Sequence, residues 1–331
     1  MQFNGRLSGG TMATGILLDS AGDAIQSVRR DPYVLGGAPA VAEASVAGAR
    51  GLGGGEGGAV DADPTTEEYD DDLGLWTAPF WMADIDSRVV RRTSSLFREA
   101  AAAATERKST GAVCSTATQS STAHGYGPHF AYRERALAAD EGVARNLAAS
   151  RLPPVEKRKK FVARGKLPSP GQGPSVEVRA KSWFRLFFWA ERGATGEDGN
   201  AGGAAGVDGV LTSVEGGDPG YEETSKMVAE AALLMAMRRD ELPWHRREGG
   251  GVGGVVTPAF GIGQPLIASL RNRGLRFVEH QLPDSPSEEG SGPGAAMYAA
   301  VAPAPVRAGA LISHIAAQGA PSASRSAPDR V

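Results

Sequence analysis

In the stretch VVTPAFGIGQPLIASLRNRGLRFVEH, residues 255–280, a β-branched run leads into Gly261, Ile262 and Gly263. A segment with helical apolar spacing follows, and a second apolar run closes the unit. Backbone amides bared by such glycines at a helix start can cradle a pyrophosphate, which is the chemistry of a dinucleotide site. The complete fingerprint also needs a third glycine three positions on and an acidic residue about twenty positions later to bind the ribose. Here Leu266 takes the third glycine's place, Thr257 and Pro258 interrupt the approach, and Glu279 sits beside His280 without a clear strand end. Gly261 and Gly263 therefore read as a structural bend before a helix, and no cofactor-binding residue is identified.

Other chemistries find less. The 5 histidines, His124, His129, His245, His280 and His314, stand in no nucleophile-elbow or paired-ligand context. G-x-S-x-G, H-E-x-x-H and the P-loop lysine motif are absent, which argues against triad, zinc and NTPase chemistry. His129, set among aromatics, is the best placed of them, and its plain role is hydrogen-bonded packing. The single cysteine, Cys114, excludes a thiolate metal cluster and fits a reducing compartment, with an inert loop thiol as its plain reading. The carboxylates Glu67, Glu68, Asp70, Asp71 and Asp72 lack the alternating ligand spacing and mid-loop glycine of a calcium loop. No metal site is expected. A net charge of −3 supplies no field for nucleic acid. No window approaches the roughly 18 consecutive apolar residues of a membrane span, and no early stretch has signal-peptide character.

The elements that would position a site are unevenly spread. With 45 glycines and 21 prolines gathered in blocks among 331 residues, the composition predicts an ordered core diluted by flexible insertions. The spacing predicts a helix over 11–29, started by the glycines of SGGT with Thr11 as N-cap and stopped before Pro32. Disordered insertions are expected at about 36–72, 98–124 and 193–206. Between them, Asp86, Val89, Val90 and Leu96 predict a helix, GYGPHFAYRER a turn followed by a strand or loop, and EKRKKFVARGK a solvated helix end. SWFRLFFWAE reads as a buried strand, or as a membrane-dipping aromatic patch, with VDGVLTSVEGG as its partner strand. The clearest helix follows GGDPGY: Asp218 can cap it, Pro219 suits its first turn, and Met227, Val228, Ala231, Leu234 and Met235 form one apolar stripe. The tail 283–331 reads as disordered, with RAGALISHIAAQG able to form a short amphipathic helix.

Seven blocks give the chain a family resemblance: GRLSGGTMATG, DPYVL, APFWMADIDSRVVRRTSSL, YGPHFAYRE, LPSPGQGPSVEVRAKSWFRLFF, GGDPGYEETSKMVAEAALLMA and GGVVTPAFGIGQPLIASLRNRGLRFVE. In this order they resemble the saccharopine-dehydrogenase-like oxidoreductases, which include the trans-acting enoyl reductase type. The resemblance implies an α/β (α+β) fold, a mixed β-sheet with helices on one side. It would be the C-terminal substrate domain, residues 1–282, of a Rossmann-type enzyme, lacking most or all of the N-terminal dinucleotide-binding domain. It implies NAD(P) as cofactor, although the binding fingerprint is absent, so this chain alone is expected to be inactive. It further implies a tie to lipid or glycolipid metabolism, a lipid substrate or lipid surface as partner, a homodimer, and a place on the cytoplasmic side, peripheral at a lipid droplet or membrane. The rival reading is a non-catalytic lipid-surface or oligomerisation module.

Candidate site residues on this reading fall in two groups. Arg88, Tyr126, Tyr132, Arg133 and Lys226 are the catalytic candidates, Lys226 because it is the lysine inside the clearest helix. Ser8, Gly9, Gly10 and Thr11, with Asp218 and Tyr221, are the substrate-pocket candidates. Each has a plain alternative: surface ion pairing for the arginines, core packing for the tyrosines, a helix N-terminus for the glycine turn and a helix cap for the DPGY turn.

Overall fold

The computed structural model describes residues 2–36, 61–109, 126, 130–150, 153–191, 209–246, 254–282 and 304–321. Its centre is a hairpin of the two longest strands. β5 (Trp183–Glu191) pairs antiparallel with β6 (Gly209–Gly216), as the aromatic run and its expected partner require. β1 (Gln2–Asn4) adds to the free side of β5 and β7 (Arg276–His280) to that of β6, so the sheet order is β1-β5-β6-β7. A second sheet has the order β2 (Glu68–Asp70), β3 (Leu75–Pro79), β4 (Arg135–Leu137). All pairings among the described strands are antiparallel, where a mixed sheet was expected.

The period-two alternation along β5 and β6 decides what covers each face. Phe184, Leu186, Val214 and Phe277 point to one side and meet Met227, Leu266, Leu270 and Leu275. Those partners come from α7 (Glu222–Met237), α10 (Gln264–Asn272) and the turn before β7. Phe187, Trp189 and Leu211 point to the other side, against Leu75 and Leu137 of the second sheet, Leu73 in its β2–β3 turn, and Ala308, Leu311 and Ile312 of α11 (Ala304–Ala317). Both faces of the four-stranded sheet are thus covered, correcting the expectation of helices on one side.

The 11–29 helix is two helices, α1 (Gly9–Asp19) and α2 (Asp23–Arg30). The Ser20 hydroxyl donates to Ile16 O at 2.6 Å and ends α1, and Gly22 starts α2. The N-cap of α1 is Ser8, not Thr11: Ser8 Oγ accepts from Thr11 N at 3.0 Å. α3 (Ala83–Ser109) runs twelve residues past Phe97, so the first part of the expected 98–124 insertion is helical. The acidic segment from Asp61 is ordered as well, because its carboxylates have basic partners: Asp61 with Arg91, Asp63 with Arg88, Glu68 with Arg133 and Arg135. Residues 37–60, 110–125 and 192–208, with Cys114, His124 and His129, lie outside the described residues.

α4 (Glu141–Ala149), α5 (Val155–Ala163), α6 (Val176–Arg179), α8 (Pro243–Arg246) and α9 (Pro258–Gly261) complete the helices. In α5 the basic run is not wholly solvated: Arg158 is buried and pairs with Asp19 at the end of α1. In α7 the expected stripe splits. Leu234 faces the core while Val228 and Met235 are exposed. Nor is the whole tail disordered, since α11 supplies part of the core. Among the described residues no helix is long and apolar enough to cross a membrane.

Candidate functional site

The substrate-pocket candidates meet although they lie some two hundred residues apart. Ser8 caps α1, so Gly9 is its first helical residue, and Gly9 N donates to Gln172 O at 2.9 Å. A Cβ on Gly9 would stand 1.7 Å from Ser169 O, so a glycine is what lets the 169–172 loop press on the helix start. Tyr221 reaches the same loop from the other side, its hydroxyl donating to Gln172 O at 3.3 Å, with Arg179 over its ring at 5.7 Å.

Asp218 fixes Tyr221 in turn. Its Oδ2 accepts from Tyr221 N at 2.7 Å, while its side chain is 1% exposed and its Oδ1 has no protein partner. Asp218 thus closes the turn ahead of α7 rather than serving as the N-cap itself, and Pro219 lies in that turn rather than in the first helical turn. Beside this junction α1 and α5 flank a largely apolar cleft of about 380 Å³, with Ala13, Ile16 and Leu17 on one wall, Val162 and Pro170 on the other, and Lys159 among the lining residues. Clefts of this size and polarity take small organic ligands.

The catalytic candidates do not join them. Arg88, 3% exposed, holds Asp63 with both terminal nitrogens and donates to Arg29 O at 2.9 Å. Arg91 donates to Tyr132 O at 3.1 Å and lies over the Tyr33 ring at 5.8 Å, while the Tyr33 hydroxyl donates to Asp61. Arg133 pairs with Glu68 at 3.0 Å. Tyr126 and Tyr132 bracket Phe130, with ring centres 4.7 and 6.4 Å away, and Tyr126 also meets Phe97 at 5.5 Å. Burial raises both phenols, and for Tyr132 the nearby Glu134 and Asp86 charges add to the shift. Lys226 is paired with Glu223 at 2.9 Å, and Glu223 also accepts from Gly217 N.

Ion pairs connect the two regions. Asp19 takes Arg158 on one side and Arg29 on the other, and Arg29 continues to Asp84 at the start of α3. Burial alone would raise the Asp19 carboxyl, but the hydrogen bonds from Arg158 and Arg29 outweigh it and hold the group below the ordinary carboxylate value. Sequence reasoning missed one pair of groups. Glu134 is pushed up to about 7, chiefly by burial and then by the Asp86 charge, and burial raises Asp86 as well. One Glu134 oxygen is buried without a protein partner. A glutamate between two arginines in YRER gives no sign of this, because the neighbouring charge, Asp86, comes from α3.

The described residues do not fit a dinucleotide at the glycine pair. Residues 254–257 form no strand, β7 runs antiparallel to β6, and Gly261 ends the short α9 instead of opening a helix. Gly263, at φ 60°, is the N-cap of α10, but a Cβ there would lie 3.3 Å from Ala259 O and 3.4 Å from Pro243. The turn is filled by its own neighbours. No group of three or more metal-ligating side chains occurs among the described residues.

Among curated proteins the chain is similar to two from Mycobacterium tuberculosis strains that bear the provisional name trans-acting enoyl reductase. Each is 27% identical over 209 residues, covering 63% of this chain and 42% of the relative. The chain spans less than half the length of the curated relatives it matches. This is a distant relationship to proteins named as enoyl reductases. No family model matches the chain. No solved structure matches it.

Proposed function

We propose that this chain forms the substrate-binding side of a nicotinamide-dependent oxidoreductase of enoyl reductase type, and that the α1–α5 cleft receives an acyl chain. The carrying observation is that the Ser8 and Gly9 turn and the Asp218 and Tyr221 turn lock one loop beside an apolar cleft of about 380 Å³. The similarity to proteins named enoyl reductases supports this choice of reaction class. Reduction of a conjugated double bond needs a hydride donor, which a nicotinamide would provide. The glycine pair offers that group no cradle, and the part assigned to the described residues is to bind and orient the acyl substrate. Ala13, Ile16, Leu17 and Val162 hold the chain by apolar contact, and Lys159, whose 2.9 Å pair with Glu156 is solvent-exposed and readily exchanged, turns to an anionic or carbonyl end. Arg88, Arg133 and Lys226, each engaged by a carboxylate, act as framework. The domain reading follows: 1–282 is the substrate domain, with α11 contributed from beyond it.

Titration with a dansylated long-chain fatty acid tests the cleft. The wild-type chain is expected to give saturable fluorescence enhancement, and Leu17→Glu or Ala13→Trp to weaken binding at least tenfold. Equal binding by wild type and both variants would remove the acyl site. Hydrogen exchange with NADPH tests the cofactor part: protection of the 261–264 amides would overturn the reading of the glycine pair as a structural turn.

A further inference from the structure

α7 carries an apolar face that no described residue covers. From Met227 to Met237 its one charged residue is Glu230, which turns inward to Ser269 and Arg273. On the outer surface Val228 is 65% exposed, Leu233 46%, Met235 53% and Met237 77%. Ala229, Ala232 and Ala236 are exposed between them. A solvated helix normally presents charge there, and a continuous apolar face marks an interface. The polar ends are of opposite sign: exposed Glu222 opens the helix, and exposed Arg238 and Arg239 follow its last turn.

We infer that this face joins two copies of the chain, with their α7 helices packed antiparallel about a twofold axis beside Ala232. The pattern is self-complementary, as an isologous contact must be. On the helical period, Ser225, Ala232 and Ala236 occupy the middle of the exposed arc and let two helices approach closely, with Ala229 beside them. Val228 and Met235 share one flank, so the axis sets Val228 of each copy against Met235 of the other. The acidic start of one helix then lies along the basic end of its mate, bringing Glu222 within reach of Arg239, and the opposed helix dipoles add to the attraction. A lipid surface fits less well, because interfacial helices carry lysine and arginine along the polar face, whereas α7 opens with Glu222 and Glu223. This inference does not depend on the acyl-site proposal.

Sedimentation equilibrium on the full chain at micromolar concentration tests it, with circular dichroism and the melting temperature confirming that each variant is folded. Twice the chain mass of 34.2 kDa is expected for the wild type. Val228→Glu should shift the population to monomer, with dimer affinity falling at least tenfold, while Leu17→Glu, another exposed apolar position, leaves the dimer intact. If Val228→Glu does not fold, Ala232→Arg on the centre of the face makes the same test. Mixing Glu222→Arg with Arg239→Glu should restore a dimer that each variant alone forms poorly. With Cys114 replaced by serine, Ala232→Cys should cross-link across the axis on oxidation. A monomeric wild type, a Val228→Glu dimer of unchanged affinity, or absence of the Ala232→Cys cross-link would overturn the assignment. So would flotation of the wild type with phosphatidylcholine–phosphatidylglycerol vesicles that Val228→Glu abolishes, which would put a lipid surface on this face.

Discussion

Gly9 and Tyr221 donate to the same carbonyl oxygen, that of Gln172, at 2.9 and 3.3 Å. The start of α1 and the turn ahead of α7 are thereby tied to a single loop. The tie needs a bare α-carbon at Gly9, an ordered Asp218 turn to aim Tyr221, and the 169–172 loop between them. The apolar cleft lies where this junction opens between α1 and α5.

Substitution at adjacent glycines separates steric need from helix propensity. A Cβ at Gly9 would meet Ser169 O at 1.7 Å, whereas one at Gly10 finds only Ser8 Oγ, at 3.6 Å. Gly9→Ala should cost about 2–4 kcal/mol through displacement of the loop. Gly10→Ala, in the first turn of the same helix, should be neutral or stabilising by up to about 1 kcal/mol. Urea unfolding of the two variants checks the contrast, and equal effects would mean that the loop is not pressed on Gly9.

Arg185 and Glu215 are direct partners in the β5–β6 register, 4% and 3% exposed, with a 2.9 Å ion pair. Arg185 also donates to Ile315 O and Gly319 O, at 2.9 and 3.2 Å, closing the end of α11. Arg185→Leu leaves the buried Glu215 carboxylate with the part-exposed Arg276, 3.4 Å away, and uncaps that helix, so it should cost about 2–4 kcal/mol. The double change Arg185→Leu with Glu215→Leu should recover part of the loss, since no charge is then left buried alone. A denaturant double-mutant cycle measures both.

Much of the architecture is legible in the residues. The β5–β6 hairpin, the α7 helix and the bend at Gly263 follow from alternation, capping and turn chemistry. What local pattern cannot carry is pairing at long range. The acidic segment from Asp61 reads as solvated charge until Arg88, Arg91, Arg133 and Arg135 come against it from α3 and from the strand beyond. The apolar positions of α7 read as one stripe because helical spacing alone cannot say which side meets the sheet. Of the site candidates, the Ser8 and Asp218 turns were found as helix starts, but the Gln172 carbonyl that joins them sits in a loop without a motif. The two carboxyls Asp86 and Glu134 escape notice for the same reason.

Glu134 makes stability depend on pH with a definite sign. Its carboxyl is raised from 4.5 to about 7 in the fold, so the folded state holds a proton that the unfolded state releases between those values. Stability should therefore decline as pH rises through that window, with the full penalty present above it. The group is partly solvated, so after screening the effect should be about 1–2 kcal/mol. Glu134→Gln removes the charge and should stabilise the protein at pH ~8 relative to pH ~5 by that amount, read from denaturant midpoints at the two values. A difference of opposite sign would mean that an unseen cation compensates the carboxylate.

α11 should behave as part of the core although its sequence neighbourhood is glycine-, serine- and proline-rich. Ala308 and Ile312 are 0% and 4% exposed and pack on Leu75 and Leu211, members of both sheets. The contact is close because Gly309 meets the β2–β3 turn directly, where a Cβ would stand 1.6 Å from Leu73 O. Gly309→Val must therefore lift the helix from the turn and open the contact between Ile312 and the sheets, at a cost of about 2–4 kcal/mol. Ala310→Val, one position along and exposed, keeps the β-branched side chain but lacks the clash, so it should cost under about 1 kcal/mol. Limited proteolysis gives an independent reading: cleavage within 304–317 should be fast in Gly309→Val and slow in Ala310→Val and the wild type. Rapid cleavage of that helix in the wild type would mean that it is not docked between the sheets.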